Sequence, residues 1–175
     1  YTGLLEQAEQ APAFRSIIDP DNSGFFNPQS MTEAIDHYCR TTDQPPPRTP
    51  GEYTRATLES LALAYGRALT GLNTFSDHPV ETLHIVGGGT QNRLLNQFTA
   101  NAAGIPVTAG PREAAAAGNI LVQAMAGGRV ASLDRAREVV RESFEPETYT
   151  PRDRKEWRKI KDKIQKTKDK IFNNK

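Results

Sequence analysis

The sequence predicts an α/β fold, a small parallel sheet surrounded by helices. Two stretches rich in β-branched and apolar residues, Thr82–Val86 and Ile105–Thr108, each run into a glycine-bearing turn. Each is followed by a helical pattern, Thr90–Ala103 and then Arg112–Met125. Strand, helix, strand, helix with short links requires parallel strands joined by a right-handed crossover. Elsewhere the apolar residues fall three and four apart, the period of helices that cover a sheet.

The elements follow in order. Tyr1 to Ala11 reads as a short helix stopped by Pro12. Arg15–Pro28 is loop chemistry, punctuated by Asp-Pro, Ser-Gly and Asn-Pro pairs. Its anchors Ile17, Ile18, Phe25 and Phe26 call for burial. Ser30 and Glu33 have capping-box spacing, and Met31, Ile35, Tyr38 and Cys39 form the apolar stripe of the next helix. After Pro45-Pro46-Pro47, Thr49 caps, Pro50 fits a first turn and Glu52 stands three residues on. The helix from Pro50 to about Leu72 mixes small and bulky residues, which suits packing on more than one side.

Beyond the two strand–helix units, Ser132 caps a helix with Leu133, Ala136, Val139, Val140 and Phe144 on its buried face. Glu145–Pro151 reads as an extended linker. The tail is helical, with Trp157, Ile160, Ile164 and Ile171 in one narrow apolar stripe on a lysine-rich rod.

At 175 residues the chain suits one domain with an appendage. The net charge of +1 conceals an imbalance. Arg152–Lys175 carries eleven basic and four acidic residues, against eleven basic and seventeen acidic before it. The division expected is therefore 1–151 for the body and 152–175 for a basic helical tail. That tail either docks on the body or meets an anion; docking is the reading preferred, so neither a nucleic-acid nor a membrane partner is expected. No apolar run approaches the ~18 residues of a membrane-spanning helix. Cys39 is the only cysteine, which removes intrachain disulfides and suits a reducing, cytoplasmic compartment. The opening Tyr1-Thr2-Gly3 reads as a cut inside a longer chain.

Gly87-Gly88-Gly89, at the exit of the first strand, lets a backbone approach a ligand without interference from a Cβ. A helix start just beyond offers N–H groups and a positive dipole end, suited to phosphate. Gln91 and Asn92 add amides that donate and accept. The same pattern also fits a tight β–α turn without a ligand. One unit later, Gly110-Pro111-Arg112-Glu113 leads into Ala114–Ala117 and Gly118-Asn119, small residues suited to close packing or to a flat ligand. Both features sit at the carboxyl ends of adjacent parallel strands, where open α/β sheets bind ligands. P-loop and dinucleotide-binding spacings do not occur. His37, His78 and His84 lack ligand spacing, so no metal site and no catalytic residue is assigned.

The string Leu83–Gln97 resembles the adenosine motif of the FGGY carbohydrate kinases. Ala13–Asp21 with Phe26-Asn27-Pro28, Gly110–Ala114 with Gly118-Asn119, and Ser143–Pro146 are similar to three further stretches of the family, in the right order. The resemblance implies part of an actin-like, ribonuclease H-like domain at the C-terminal side of a sugar kinase, its opening strands lying before Tyr1. It implies ATP and Mg2+ as cofactors, with Gly87, Gly88, Gly89, Gln91 and Asn92 along the nucleotide. The sugar and the general base would belong to a further domain, so the chain alone would be inactive. A family kinase for another ketose or polyol, or a non-catalytic interaction module, are the alternatives.

Overall fold

The computed structural model describes residues 2–173. They form α1 (Thr2–Gln10), α2 (Met31–Thr41), α3 (Pro50–Asn73), β1 (Leu83–Ile85), α4 (Arg93–Ala103), β2 (Val107–Ala109), α5 (Ala114–Ala126), α6 (Leu133–Ser143), β3 (Glu147–Tyr149) and α7 (Arg154–Asn173). Short 3-10 turns occupy Ser23–Phe25 and Gly87–Gln91.

The helix starts follow their capping chemistry. Ser30 Oγ accepts the Glu33 N–H at 3.3 Å, and Thr49 Oγ1 accepts that of Glu52 at 3.2 Å. These bonds satisfy first-turn donors that an α-helix leaves unpaired. The Glu52 carboxylate reaches back to the Arg48 N–H at 2.8 Å.

The main core lies where α3 and α4 cross. A Cβ on Gly66 would stand 2.8 Å from the Ala102 carbonyl oxygen, so the two backbones meet because this residue has no side chain. Gly51 does the same for α1: its Cβ would be 2.6 Å from the Gln7 oxygen. Leu58, Ala62, Leu63, Phe98, Ala102 and Trp157 are buried together at this crossing.

Buried Glu59 holds the loop after α1 against this core. Its Oε2 accepts the Phe14 N–H at 2.8 Å, and its Oε1 lies 2.7 Å from Arg55 Nε. Arg55 Nη1 in turn donates to the Ala8 and Glu9 carbonyls, closing the end of α1. Burial pushes the Glu59 carboxyl up from its ordinary value, while Arg55 and the Phe14 amide pull it back. Farther along the loop, Ile18 is buried with Ile35 and Cys39, and its N–H donates to Ser60 Oγ at 2.9 Å. Phe25 is half-buried, but Phe26 is exposed, against expectation. The 3-10 turn sends these neighbours to opposite sides.

The sheet has the order β1-β2-β3. β1 and β2 are parallel, pairing Leu83 with Val107 and Ile85 with Ala109. The second strand begins at Val107 rather than Ile105, because Pro106 has no N–H; its carbonyl instead accepts the Leu83 N–H at 3.0 Å. The expected linker at 145–151 contains a third strand, antiparallel to β2, with Tyr149 opposite Val107. Pro146 and Pro151 bracket the strand outside its paired residues.

α4 covers one face of the sheet, where Ala100, Val107, Ala109 and Tyr149 are buried together. On the other face His84 and Thr148 are exposed and Thr108 is half-buried. The small residues of the alanine-rich α5 suit close packing or a flat ligand, and the structure leaves this helix unpacked. No residue in it is buried, Gly118 has nothing within 4 Å of an added Cβ, and Ile120 and Val122 are exposed. Leu133 on α6 is likewise exposed, leaving Ala136 as the buried residue of that helix.

The last helix docks through its apolar stripe. Trp157 is 4% exposed and stacks edge-on against Phe14, with centroids 4.9 Å apart. Ile160 and Ile164 pack beside it, and Lys161 Nζ donates to Thr70 Oγ1 at 2.8 Å and to the Gly66 carbonyl at 3.3 Å. At the entrance, Asn101 Oδ1 accepts from the Arg152 N–H at 2.7 Å and from Gln97 Nε2 at 2.8 Å. The Ile171 side chain lies outside the described residues. Among the described residues, no helix is long and apolar enough to cross a membrane.

Candidate functional site

Ladder bonds bring the two β–α loops together. The Ile85 carbonyl accepts the Gly110 N–H at 2.9 Å, and the Gly87 N–H donates to the Pro111 carbonyl at 3.1 Å. The triple-glycine loop and the Gly110-Pro111 turn thus form one ledge at the carboxyl ends of β1 and β2.

Each glycine has a different reason to be there. Gly87 has φ +76°, a left-handed conformation that resists side chains. Gly88 has an ordinary φ and nothing within 4 Å of an added Cβ. Its freedom faces open space, as a ligand-approach position requires. An added Cβ on Gly89 would touch Ile85 Cγ2 at 3.4 Å. Gly110, at φ +138°, lies under Pro146, whose Cα would be 3.2 Å from an added Cβ.

The loop's outline departs from the expected helix start at Thr90. Gly87–Gln91 winds as a 3-10 turn and α4 begins at Arg93. Asn92 sets this boundary, because its Oδ1 accepts the Leu95 N–H at 3.0 Å. This residue is buried as an N-cap, with its acceptor committed to the helix. Gln91, by contrast, is exposed on the turn. Thr90 Oγ1 donates to the Gly87 carbonyl at 2.8 Å, and the fully buried Asn96 donates to the Thr90 carbonyl at 3.1 Å. These two residues tie the loop to itself and to α4, and sequence reading missed both. The available signal was a polar residue, Asn96, on the inward face of an otherwise apolar helix.

The ledge can therefore offer an anion or a sugar hydroxyl the nearby N-terminus of α4 and unobstructed space over Gly88. Flanking charge is exposed: Arg93 pairs with Glu147 at 3.4 Å, and Arg112 with Glu113 at 3.5 Å. His84 is on the uncovered sheet face, whereas His37 and His78 are exposed elsewhere. No group of three or more His, Cys, Asp or Glu side chains is placed to hold a metal ion among the described residues.

Residues 2–127 match the C-terminal domain of the FGGY family of carbohydrate kinases, and the chain belongs to that family. It is 48% identical over 157 residues, 90% of its length, to rhamnulokinase from Bacteroides thetaiotaomicron. To rhamnulokinase from Bacillus subtilis it is 43% identical over 153 residues. In each case it spans about a third (32%) of the relative's length. Among solved structures, xylulose kinase from Rhodospirillum rubrum superposes with a TM-score of 0.59 at 20% identity, covering 99% of this chain and 33% of that one. The ligand-bound xylulose kinase from Lactobacillus acidophilus gives 0.60 at 14% identity, covering 95% of this chain and 34% of that one. At such identities the likeness shows the fold, part of the actin-like sugar-kinase architecture.

Proposed function

We propose that this chain supplies the nucleotide-binding part of a sugar kinase that transfers the γ-phosphate of ATP to the 1-hydroxyl of L-rhamnulose, in rhamnose metabolism. The open space over Gly88, on a hydrogen-bonded ledge at the ends of two parallel strands, carries this reading. The rhamnulokinase relatives support the choice of sugar.

In this reading Gly87, Gly88 and Gly89 lie along the nucleotide, with Gly88 in closest approach. Exposed Gln91 supplies an amide to ribose or phosphate, and Asn92 acts by fixing where α4 and its dipole begin. Magnesium enters as the triphosphate's counter-ion, part of the substrate. Phosphoryl transfer depends on positioning donor and acceptor in one water-poor cleft. This chain orients the donor; the acceptor hydroxyl and its base come from the rest of the enzyme.

The test is a chimera in which this chain replaces the matching segment of the Bacteroides thetaiotaomicron rhamnulokinase. It should bind ATP and form rhamnulose 1-phosphate, whereas the 175-residue chain alone should not turn over. A folded chimera without ATP affinity would remove the ledge from the nucleotide site. Robust turnover by the chain alone would place an acceptor site and base within it.

A further inference from the structure

Asn96 is a polar side chain in an apolar place. It is fully buried in the first turn of α4, beside Leu69, Leu83, Ile85 and Leu95 along the wall of an apolar cavity. Its Oδ1 is buried with no hydrogen-bond partner among the described residues. A half-paired buried amide costs stability that an apolar side chain of similar volume would not. Residues that break a local rule in this way concentrate where function sets the choice.

The paired half of the amide shows what it does. Nδ2 donates to the Thr90 carbonyl at 3.1 Å, and Thr90 Oγ1 donates to the Gly87 carbonyl at 2.8 Å. The Asn92 N–H closes the turn on the Gly89 carbonyl at 3.2 Å. The last two bonds lie within the loop, whereas the first comes from the body of α4. The backbone on both sides of Gly88 is thereby tied to a helix packed in the main core. A loop tied in this way needs less ordering when a ligand binds, and affinity gains by that difference.

We infer that Asn96, acting through Thr90, is a positioning residue for the nucleotide, fixing the glycine loop on α4. The inference rests on the reading of the ledge as the nucleotide site.

Its test measures ATP affinity by calorimetry, and the KM for L-rhamnulose, in the rhamnulokinase chimera. Asn96→Leu should weaken ATP binding by about threefold to tenfold, the worth of one neutral hydrogen bond, and leave the sugar KM within about twofold. Thr99→Val is the control. Thr99 is as deeply buried on the same helix, but its Oγ1 donates to the Leu95 carbonyl at 2.7 Å, away from the loop. This variant should lower the urea midpoint and leave ATP affinity at the parental value. Parental ATP affinity in Asn96→Leu would overturn the inference, as would equal losses in the two variants. Should Asn96→Leu fail to fold, Thr90→Val cuts the same tie one bond farther on. It should weaken ATP binding to the same degree, and parental affinity there would overturn the inference as well. Gly88→Val, measured alongside, separates the two ideas. Weakened binding in Gly88→Val with parental binding in Asn96→Leu removes the role of Asn96 alone. Parental binding in Gly88→Val removes the ledge from the nucleotide site, and the inference with it.

Discussion

The Gly87 N–H donates to the Pro111 carbonyl at 3.1 Å, so the two loops most suggestive of a ligand are one structural unit. A ligand over Gly88 would sit on backbone braced from both strands. The contrast between adjacent glycines then separates ligand effects from folding effects.

Gly88→Val should leave the stability of the isolated chain within about 0.5 kcal/mol, the range of surface changes without a steric partner. In the chimera it should weaken ATP binding by about tenfold or more, with sugar binding unchanged. Gly87→Val should instead destabilise the isolated chain by about 1–3 kcal/mol, the cost of a left-handed conformation for a side chain that resists it. Calorimetric ATP titration and urea denaturation measure the two effects. Equal ATP affinity for parent and Gly88→Val would remove this residue from the site.

Trp157→Ala should destabilise the chain by about 3–5 kcal/mol, typical of a large aromatic removed from a core. Replacing exposed Lys155 and Lys159 with glutamine should change stability by less than about 0.5 kcal/mol. Thermal melts of the three proteins separate docking from charge. A Trp157→Ala melt that overlays the parent's would show that α7 contributes no core.

Two glycines of α3 should respond in opposite directions to alanine. At Gly66 the new methyl would meet Ala102 backbone at 2.8 Å, and overpacking of this kind costs about 1–3 kcal/mol. At Gly71 nothing lies within 4 Å, so removing a flexible helical glycine should stabilise by about 0.4–1 kcal/mol. Urea midpoints that moved in the same direction would contradict the close crossing of α3 on α4.

Glu59 contributes a pH dependence of defined sign. Burial, the leading cause, raises its carboxyl above the ordinary value, so the native state holds that proton more tightly than the unfolded chain. Its contribution is then fully present below the unfolded pKa and is lost as pH rises through the folded one. Glu59→Gln removes this dependence, while weakening the bonds to Arg55 and Phe14. The variant should be less stable than the parent, by a margin that narrows as pH rises above the ordinary carboxylate range. A margin that widens with pH would mean that the Arg55 pairing outweighs burial.

Local chemistry made the helix starts legible: Ser30 with Glu33 and Thr49 with Pro50 and Glu52 define them within one turn of backbone. The parallel strands, and the convergence of Gly87–Gly89 with Gly110-Pro111, followed from the alternation of strand and helix. β3 was obscured because Glu147–Tyr149 is only three residues long and gains its partner from β2, far back in sequence. The 3-10 form of Gly87–Gln91 was hidden for a related reason. It depends on which of Thr90 and Asn92 caps α4, and both are capable. Exposed α5 could not be anticipated, since its composition is that of a buried helix.

The lock between Asn101, Arg152 and Trp157 has a consequence for the order of synthesis. Phe14, Leu63 and Phe98 all leave the ribosome before the indole that seals them. Until Trp157 follows, the crossing of α3 and α4 presents an open aromatic surface, the kind of nascent-chain patch that chaperones cover. Any truncation or frameshift between Pro111 and Trp157 would therefore leave that patch permanently open, making the protein prone to aggregation and degradation even though every residue of the glycine ledge had been translated.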